Sequence, residues 1–133
     1  MRTIKFRAQD IASNKWLYGD IRYHKNNVCI FEQGGNIGEE VKPETVGQFT
    51  GLLDKNGREI YEGDIIKIVE KFDDENVYTS NGVVCFEEGI YELQNCKHFA
   101  YLGWLMHNDD ITKLEVIGNI HDNPELLEKG GEQ

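Results

Sequence analysis

The sequence predicts a mainly β protein, an N-terminal antiparallel meander packed on an SH3-like small barrel and closed by one short C-terminal helix. Three observations predict it. Apolar and polar residues alternate in short runs, as with Ile4, Phe6 and Ala8 against Thr3, Lys5, Arg7 and Gln9, which is the period of a half-buried strand. Asn-Gly pairs at Asn56-Gly57 and Asn81-Gly82 punctuate those runs, and tight reversals favour residues that tolerate positive φ. The order Gly63-Asp64, apolar run, loop, Gly82-Val83-Val84, Glu87-Glu88-Gly89 turn, Ile90-Tyr91-Glu92-Leu93 is that of a strongly bent antiparallel barrel. At 133 residues the chain suits one domain, or two lobes over 1–47 (meander) and 48–133 (barrel plus helix).

Taken in order, Thr3 to Gln9 is the first strand and Ser13-Asn14 the first turn. Lys15 to Tyr23 is the second strand, with Leu17, Gly19, Ile21 and Tyr23 on one face and Trp16, Tyr18, Asp20 and Arg22 on the other. Both faces carry aromatics, so periodicity does not say which is inside. Asn26-Asn27 turns the chain into a third strand, Val28 to Gln33, and Gly34-Gly35-Asn36-Ile37-Gly38 reads as a loop extended by Glu39-Glu40. Asn56-Gly57 suits a type I′ turn, Glu62-Gly63-Asp64 a second reversal, and Ile65, Ile66, Ile68 and Val69 a β-branched strand. Lys71 to Asn81 reads as a solvated hairpin loop ending in a turn at Asn81-Gly82. Phe99 to Met106 is apolar on every face, and its aromatics favour a buried strand over a short helix. Ile111 to Ile120 is a strand with Leu114, Val116 and Ile120 inward. Asn123 as cap and Pro124 in the first turn start a helix docked by Leu126 and Leu127.

Three constellations could carry chemistry. Cys96-Lys97-His98 with His107 or His121 offers soft ligands, but the paired short spacings of a zinc site are missing, and Asp73-Asp74-Glu75 lacks the spacing of a calcium loop. No metal and no cofactor is expected. Asp54, Glu59, Glu62 and Asp64 lie close in sequence and could pair as acid and base. Turn chemistry accounts for them more simply, and no nucleophile elbow, triad order or phosphate loop is present, so no catalytic residue is assigned. The third is basic and aromatic. If the first two strands pair, Lys5 and Arg7 lie across from Trp16, Tyr18 and Arg22, giving cations interleaved with flat rings.

The central stretch also resembles a known family. Phe49-Thr50-Gly51-Leu52-x-Asp54-Lys55-Asn56-Gly57-x-Glu59-Ile60-Tyr61-Glu62-Gly63-Asp64-Ile65 resembles the signature of the YopX-like proteins of phages and prophages. Ile4-Lys5-Phe6-Arg7-Ala8, Gly103-Trp104 and Val116-Ile117-Gly118-Asn119-Ile120-His121-Asp122-Asn123-Pro124-Glu125-Leu126-Leu127 match in the same order, with His121-Asp122 departing from the family's Tyr-Glu. The resemblance implies a mainly β fold, a mobile-element origin and no established activity. Its motif residues Gly51, Asp54, Asn56, Gly57, Tyr61, Gly63, Asp64, Gly118, Asn119 and Pro124 are read as backbone-shaping.

Charge bounds the partners. The net charge of −10 disfavours general affinity for nucleic acid or anionic membrane. Residues 1–30 nevertheless hold six basic and two acidic side chains, whereas the remainder holds 8 and 22. A non-enzymatic accessory protein with an unknown protein partner is the preferred expectation. The alternatives are a nucleic-acid-binding module using Lys5, Arg7, Trp16, Tyr18 and Arg22, and an acidic DNA mimic. A basic end and an acidic body also allow homo-oligomers. No long apolar run or signal core occurs, and Cys29, Cys85 and Cys96 show no pairing pattern. These features predict a soluble protein of the bacterial cytoplasm without disulfides.

Overall fold

The protein is described here from a computed structural model, which describes residues 3–32, 34–94 and 100–127. It is mainly β, with two antiparallel sheets. Two compact units divide the chain, Met1–Gly51 and Leu52–Gln133.

The first unit contains β1 (Phe6–Gln9), β2 (Trp16–His24), β3 (Asn27–Phe31), β4 (Gly38–Glu40), the 3-10 turn Pro43–Thr45 and the start of β5 (Gly47–Leu53). Its strands are ordered β4-β3-β2-β1-β5. Ala8 pairs with Leu17, Phe6 with Gly19 and Ile21 with Ile30, so one alternating set from each strand meets on one side. That side holds the core of Ala8, Val28, Ile30 and Val41, against which Leu17, Ile21 and Val46 pack. The structure thus settles the ambiguity of the second strand: Leu17, Gly19 and Ile21 turn inward. Glu39-Glu40, expected as loop, instead form β4 with Gly38 by pairing with Ile30 and Cys29. Pairing supplied by β3 outweighs the poor strand propensity of Gly and Glu.

Asp10 holds the β1–β2 turn. Its Oδ1 accepts from Ala12 N at 2.7 Å and Ser13 N at 3.0 Å, which lets Asn14 adopt φ 63. Those bonds, Ser13's first, keep the Asp10 carboxyl below the ordinary carboxylate range. A depressed folded value adds stability above the unfolded pKa of about 3.9, lost as pH falls through the lower folded value. Asp10→Asn should therefore flatten the pH dependence of unfolding below about pH 4, measured by acid titration of the circular dichroism signal.

The second unit contains β6 (Glu59–Tyr61), β7 (Asp64–Lys71), β8 (Val77–Glu87), β9 (Ile90–Gln94), β10 (Ala100–Tyr101), α1 (Leu102–Met106) and β11 (Ile111–Asn119). β6 pairs with β5, and the remaining strands are ordered β10-β9-β8-β7-β11. The pairings of the described residues follow this open order; closure into an SH3-like barrel is not among them. Ile60, Ile66, Val84, Leu93, Leu102, Leu105 and Leu114 build the core.

Several local expectations change. Phe99 lies outside the described residues, as do Cys96 and His98. Within the rest of that apolar run, Ala100–Tyr101 are strand, but Leu102–Met106 are helix. Leu102 and Leu105 are buried while Gly103 and Trp104 face water, the i, i+3 spacing of one helical face. Apolar residues at every position hid that period. Asn81 and Gly82 do not turn but continue β8, opposite Lys67 and Ile66, so the solvated loop shrinks to residues 72–76. Ile120, expected inward, lies past the end of β11 and is exposed.

The type I′ turn expected at Asn56-Gly57 occurs elsewhere. There only Gly57 has positive φ, at 87°. Glu88 (φ 51°) and Gly89 (φ 83°) instead form the two-residue loop between paired Glu87 and Ile90, as the twist of a hairpin demands. Glutamate is strained in the left-handed region. Glu88→Asn should raise stability by about 0.5–1 kcal/mol, seen as a higher urea midpoint with unchanged slope.

Candidate functional site

Two of the signature carboxylates, Asp54 and Asp64, serve the backbone. Asp54 is 5% exposed. Its Oδ1 accepts from Asn56 N at 2.9 Å and Arg58 N at 2.8 Å, and its Oδ2 accepts from Val116 N at 2.9 Å. The turn it organises lies along the free edge of β11. Lys55 N donates to Leu114 O at 3.0 Å, Arg58 Nη1 donates to Val116 O at 3.2 Å, and Lys55 Nζ donates to Ile111 O. Asn56 Nδ2 adds a bond to Glu115 Oε2 at 2.9 Å. A nine-residue strand at the rim of a sheet would otherwise present bare N–H and C=O groups to other chains. Residues 54–58 clasp that rim shut.

Asp64 begins β7 and is 1% exposed, with Oδ2 accepting from Tyr61 N at 2.7 Å. Gly63, at φ 89°, donates its N–H to Val84 O and accepts from Ile120 N, both at 2.9 Å. The reversal is thereby bonded to β8 on one side and to the chain leaving β11 on the other. Tyr61, also buried, donates its hydroxyl to Glu59 Oε1 at 3.0 Å. Gly51 has φ 87° with open space around its Cα, so its backbone angle, and not crowding, favours glycine there.

The last motif is a second knot of turns. Asn119 Oδ1 accepts from His121 N at 3.0 Å and Asp122 N at 2.9 Å, while Asn123 Oδ1 accepts from Asn119 N at 3.2 Å. The Asn123 side chain thus turns back to Asn119 instead of capping the following helix as expected. That helix opens at residues 125–127, and Pro124 O accepts from Leu127 N at 3.2 Å. A Cβ on Gly118 would lie 2.4 Å from Asn123 Oδ1. Gly118→Ala should cost about 1–3 kcal/mol by displacing that side chain, read from denaturant midpoints.

The basic and aromatic residues do share one face of the first sheet, opposite its core. Arg7 pairs across from Tyr18, and Gln9 from Trp16. The Arg7 guanidinium stacks 4.8 Å from the Trp16 ring, Arg22 lies 4.5 Å from Phe31, and Lys5 lies 5.5 Å from Phe49. Each such contact contributes about 0.5–1 kcal/mol at exposed sites. The face is graded. At β1 Arg7 is only 6% exposed, whereas on β2 Tyr18 is 46% exposed and Arg22 is open to water. Trp16 and Lys5 are half-buried. The expected residues therefore fall on one face, but its accessible part is Tyr18 and Arg22, with Trp16 at the margin. Phe31 and Phe49, the rings that order Arg22 and Lys5, were not singled out from sequence. Alternation put Phe31 on a strand face, but only the register shows that it meets Arg22.

Among the described residues no group of three Cys, His, Asp or Glu side chains could hold a metal ion. Cys29 and Cys85 are free and half-buried. Burial, followed by the charges of Glu87, Glu92 and Glu62, pushes the Cys85 thiol up. No helix among the described residues is long and apolar enough to cross a membrane.

The sequence profile of the family described as YopX protein matches residues 5–128. A crystal structure of protein EF1440 from Enterococcus faecalis is similar at a TM-score of 0.62 and 25% identity, covering 96% of this chain and 99% of that one. Neither name carries an activity. No curated protein matches the chain.

Proposed function

The chain belongs to the YopX family, and from that premise we propose a non-enzymatic accessory protein of phage or prophage type that acts by binding a protein partner. The recognition surface is the solvent-facing part of the basic-aromatic sheet, Tyr18 and Arg22. One observation carries this reading: the Arg22 guanidinium is held over Phe31 at 4.5 Å while remaining exposed. A stacked guanidinium loses less freedom on binding and presents its fork to a carboxylate. An acidic segment of a partner protein fits it. Of the four signature carboxylates, Asp54 and Asp64 accept backbone N–H bonds, which supports a backbone role for them over acid–base chemistry.

The same surface could stack bases, and the burial of Arg7 is what favours protein over nucleic acid. A phosphate track needs accessible cations along its length. The test is capture from lysogenic host cells with wild type, Tyr18→Ala and Arg22→Glu, alongside a labelled oligonucleotide. We expect a discrete protein retained by wild type and lost with both variants, and no oligonucleotide binding. Salt-sensitive oligonucleotide binding lost in the variants would transfer the surface to nucleic acid. Turnover of a nucleotide, sugar or peptide substrate would end the non-enzymatic reading.

A further inference from the structure

We propose that Asn56 is a self-modification site: the folded protein slowly deamidates there, and the acid it gains loosens the clasp over β11. The chain has two Asn-Gly pairs, Asn56-Gly57 and Asn81-Gly82. Asparagine before glycine is chemically labile, because no side chain shields the following backbone nitrogen. The Gly57 nitrogen gives up its proton and attacks the Asn56 side-chain carbonyl carbon, Cγ. A C–N bond forms, the Cγ–Nδ2 bond breaks, and the amide nitrogen leaves as ammonia, carrying a proton equivalent to the one lost. Water then opens the cyclic imide at either carbonyl, giving aspartate or isoaspartate. Water is consumed and ammonia released, with no oxidant or other reagent. Nothing in this step depends on the binding role of Tyr18 and Arg22.

The fold separates the two pairs. Asn56 is exposed on the 54–58 turn, and an added Cβ on Gly57 would meet nothing within 4 Å. Ring closure there has to release Gly57 N from Asp54 O, 3.0 Å away, and Asn56 Nδ2 from Glu115 Oε2, 2.9 Å away. Opening a short exposed turn is a local event. Asn81 is half-buried and Gly82 buried within β8, opposite Lys67 and Ile66, and Asn81 Nδ2 donates to Leu126 O at 3.1 Å. Reaction at Asn81 requires β7 and β8 to part, which opens the core around Ile66 and Val84.

The product opposes the clasp. Glu115 Oε2, which accepts from the Asn56 amide, then faces a second carboxylate, and like charges repel. Lys113 lies on the other oxygen, Oε1, at 3.7 Å. Isoaspartate also adds a backbone carbon between residues 56 and 57, in a turn shaped by Asp54 Oδ1 accepting from both Asn56 N and Arg58 N. Each change frees the rim of β11 that Lys55 and Arg58 cover.

Ageing the intact folded chain in mildly alkaline buffer tests this, followed by peptide mapping that separates asparagine, aspartate and isoaspartate. In the folded protein Asn56 should convert on the order of tenfold faster than Asn81, whereas in urea the two pairs should convert at similar rates. Hydrogen exchange at residues 111–119 reads the consequence. It should rise several-fold in aged protein and in Asn56→Asp. Asn56→Ser loses the same hydrogen bond without gaining a charge, and its exchange should rise much less. If Asn56→Asp does not fold, aged wild type gives the comparison with Asn56→Ser. Conversion of Asn81 as fast as Asn56 in the folded protein would overturn the proposal. So would an unchanged Asn56 under conditions that convert the urea-unfolded chain. Equal exchange in the charged product and in Asn56→Ser would also overturn it, because the new carboxylate would then do nothing to the clasp.

Discussion

Asp54→Ala is expected to destabilise the protein by on the order of 3–5 kcal/mol and to convert it into an aggregating one. The substitution deletes acceptors for the N–H groups of Asn56, Arg58 and Val116 at once. Unpaired buried backbone donors cost about 1–3 kcal/mol each, against a typical total near 5–15 kcal/mol. The second effect follows from position. Without Asp54 the turn no longer holds Lys55 and Arg58 against the carbonyls of β11, and the rim of the sheet becomes a template for other chains. Asp54→Asn keeps one acceptor oxygen and should fall between wild type and alanine. Urea unfolding gives the first quantity, and light scattering at increasing concentration gives the second. A soluble, monomeric alanine variant with wild-type stability would show that the clasp holds nothing.

Gly19→Ala should be comparably damaging, about 3 kcal/mol, for a different reason. A Cβ at Gly19 would stand 2.0 Å from Phe31 O and 2.8 Å from Phe31 C, and both are main-chain atoms. A rotamer change cannot relieve such a contact. Gly19 also lies opposite Phe6 in β1, so β2 cannot retreat from β3 without disturbing its other ladder. Arg22 and Phe31 would then separate, and the ordered guanidinium would be lost. The measurement is urea unfolding followed by Trp16 fluorescence in a Trp104→Phe background, since the Trp16 ring carries the Arg7 stack. An unchanged midpoint would mean that β3 has room to move.

What was legible in the sequence was the chemistry that acts locally. The reversal at Gly63-Asp64 could be read because glycine and a short acceptor determine it within a few residues. Asn56-Gly57 reads as a turn, and it is one, but not of type I′, since Gly57 alone of the two has positive φ. The carboxylate of Asp54 dictates its shape, and that carboxylate also answers to Val116, 62 residues away. Distance in sequence explains the other misses. Asn81-Gly82 has strong turn character, yet a ladder with Lys67 and Ile66 passes straight through it. β2 carries aromatics on both faces, so only its pairing with β1 and β3 shows that Leu17 and Ile21 are inside. Among the proposed binding residues, alternation placed the basic and aromatic residues on one face but could not reveal that Arg7 is sheltered while Arg22 is open.

The order β10-β9-β8-β7-β11 has a consequence for the chain as it is made. β7 meets β8 almost at once, but its other flank waits for residues 111–119, and the clasp at 54–58 has nothing to hold until they emerge. At about 5–20 residues per second a ribosome leaves that flank bare for several seconds. Slow translation between residues 95 and 119 would lengthen this interval, making codon choice there, and not only the finished protein's stability, a determinant of yield.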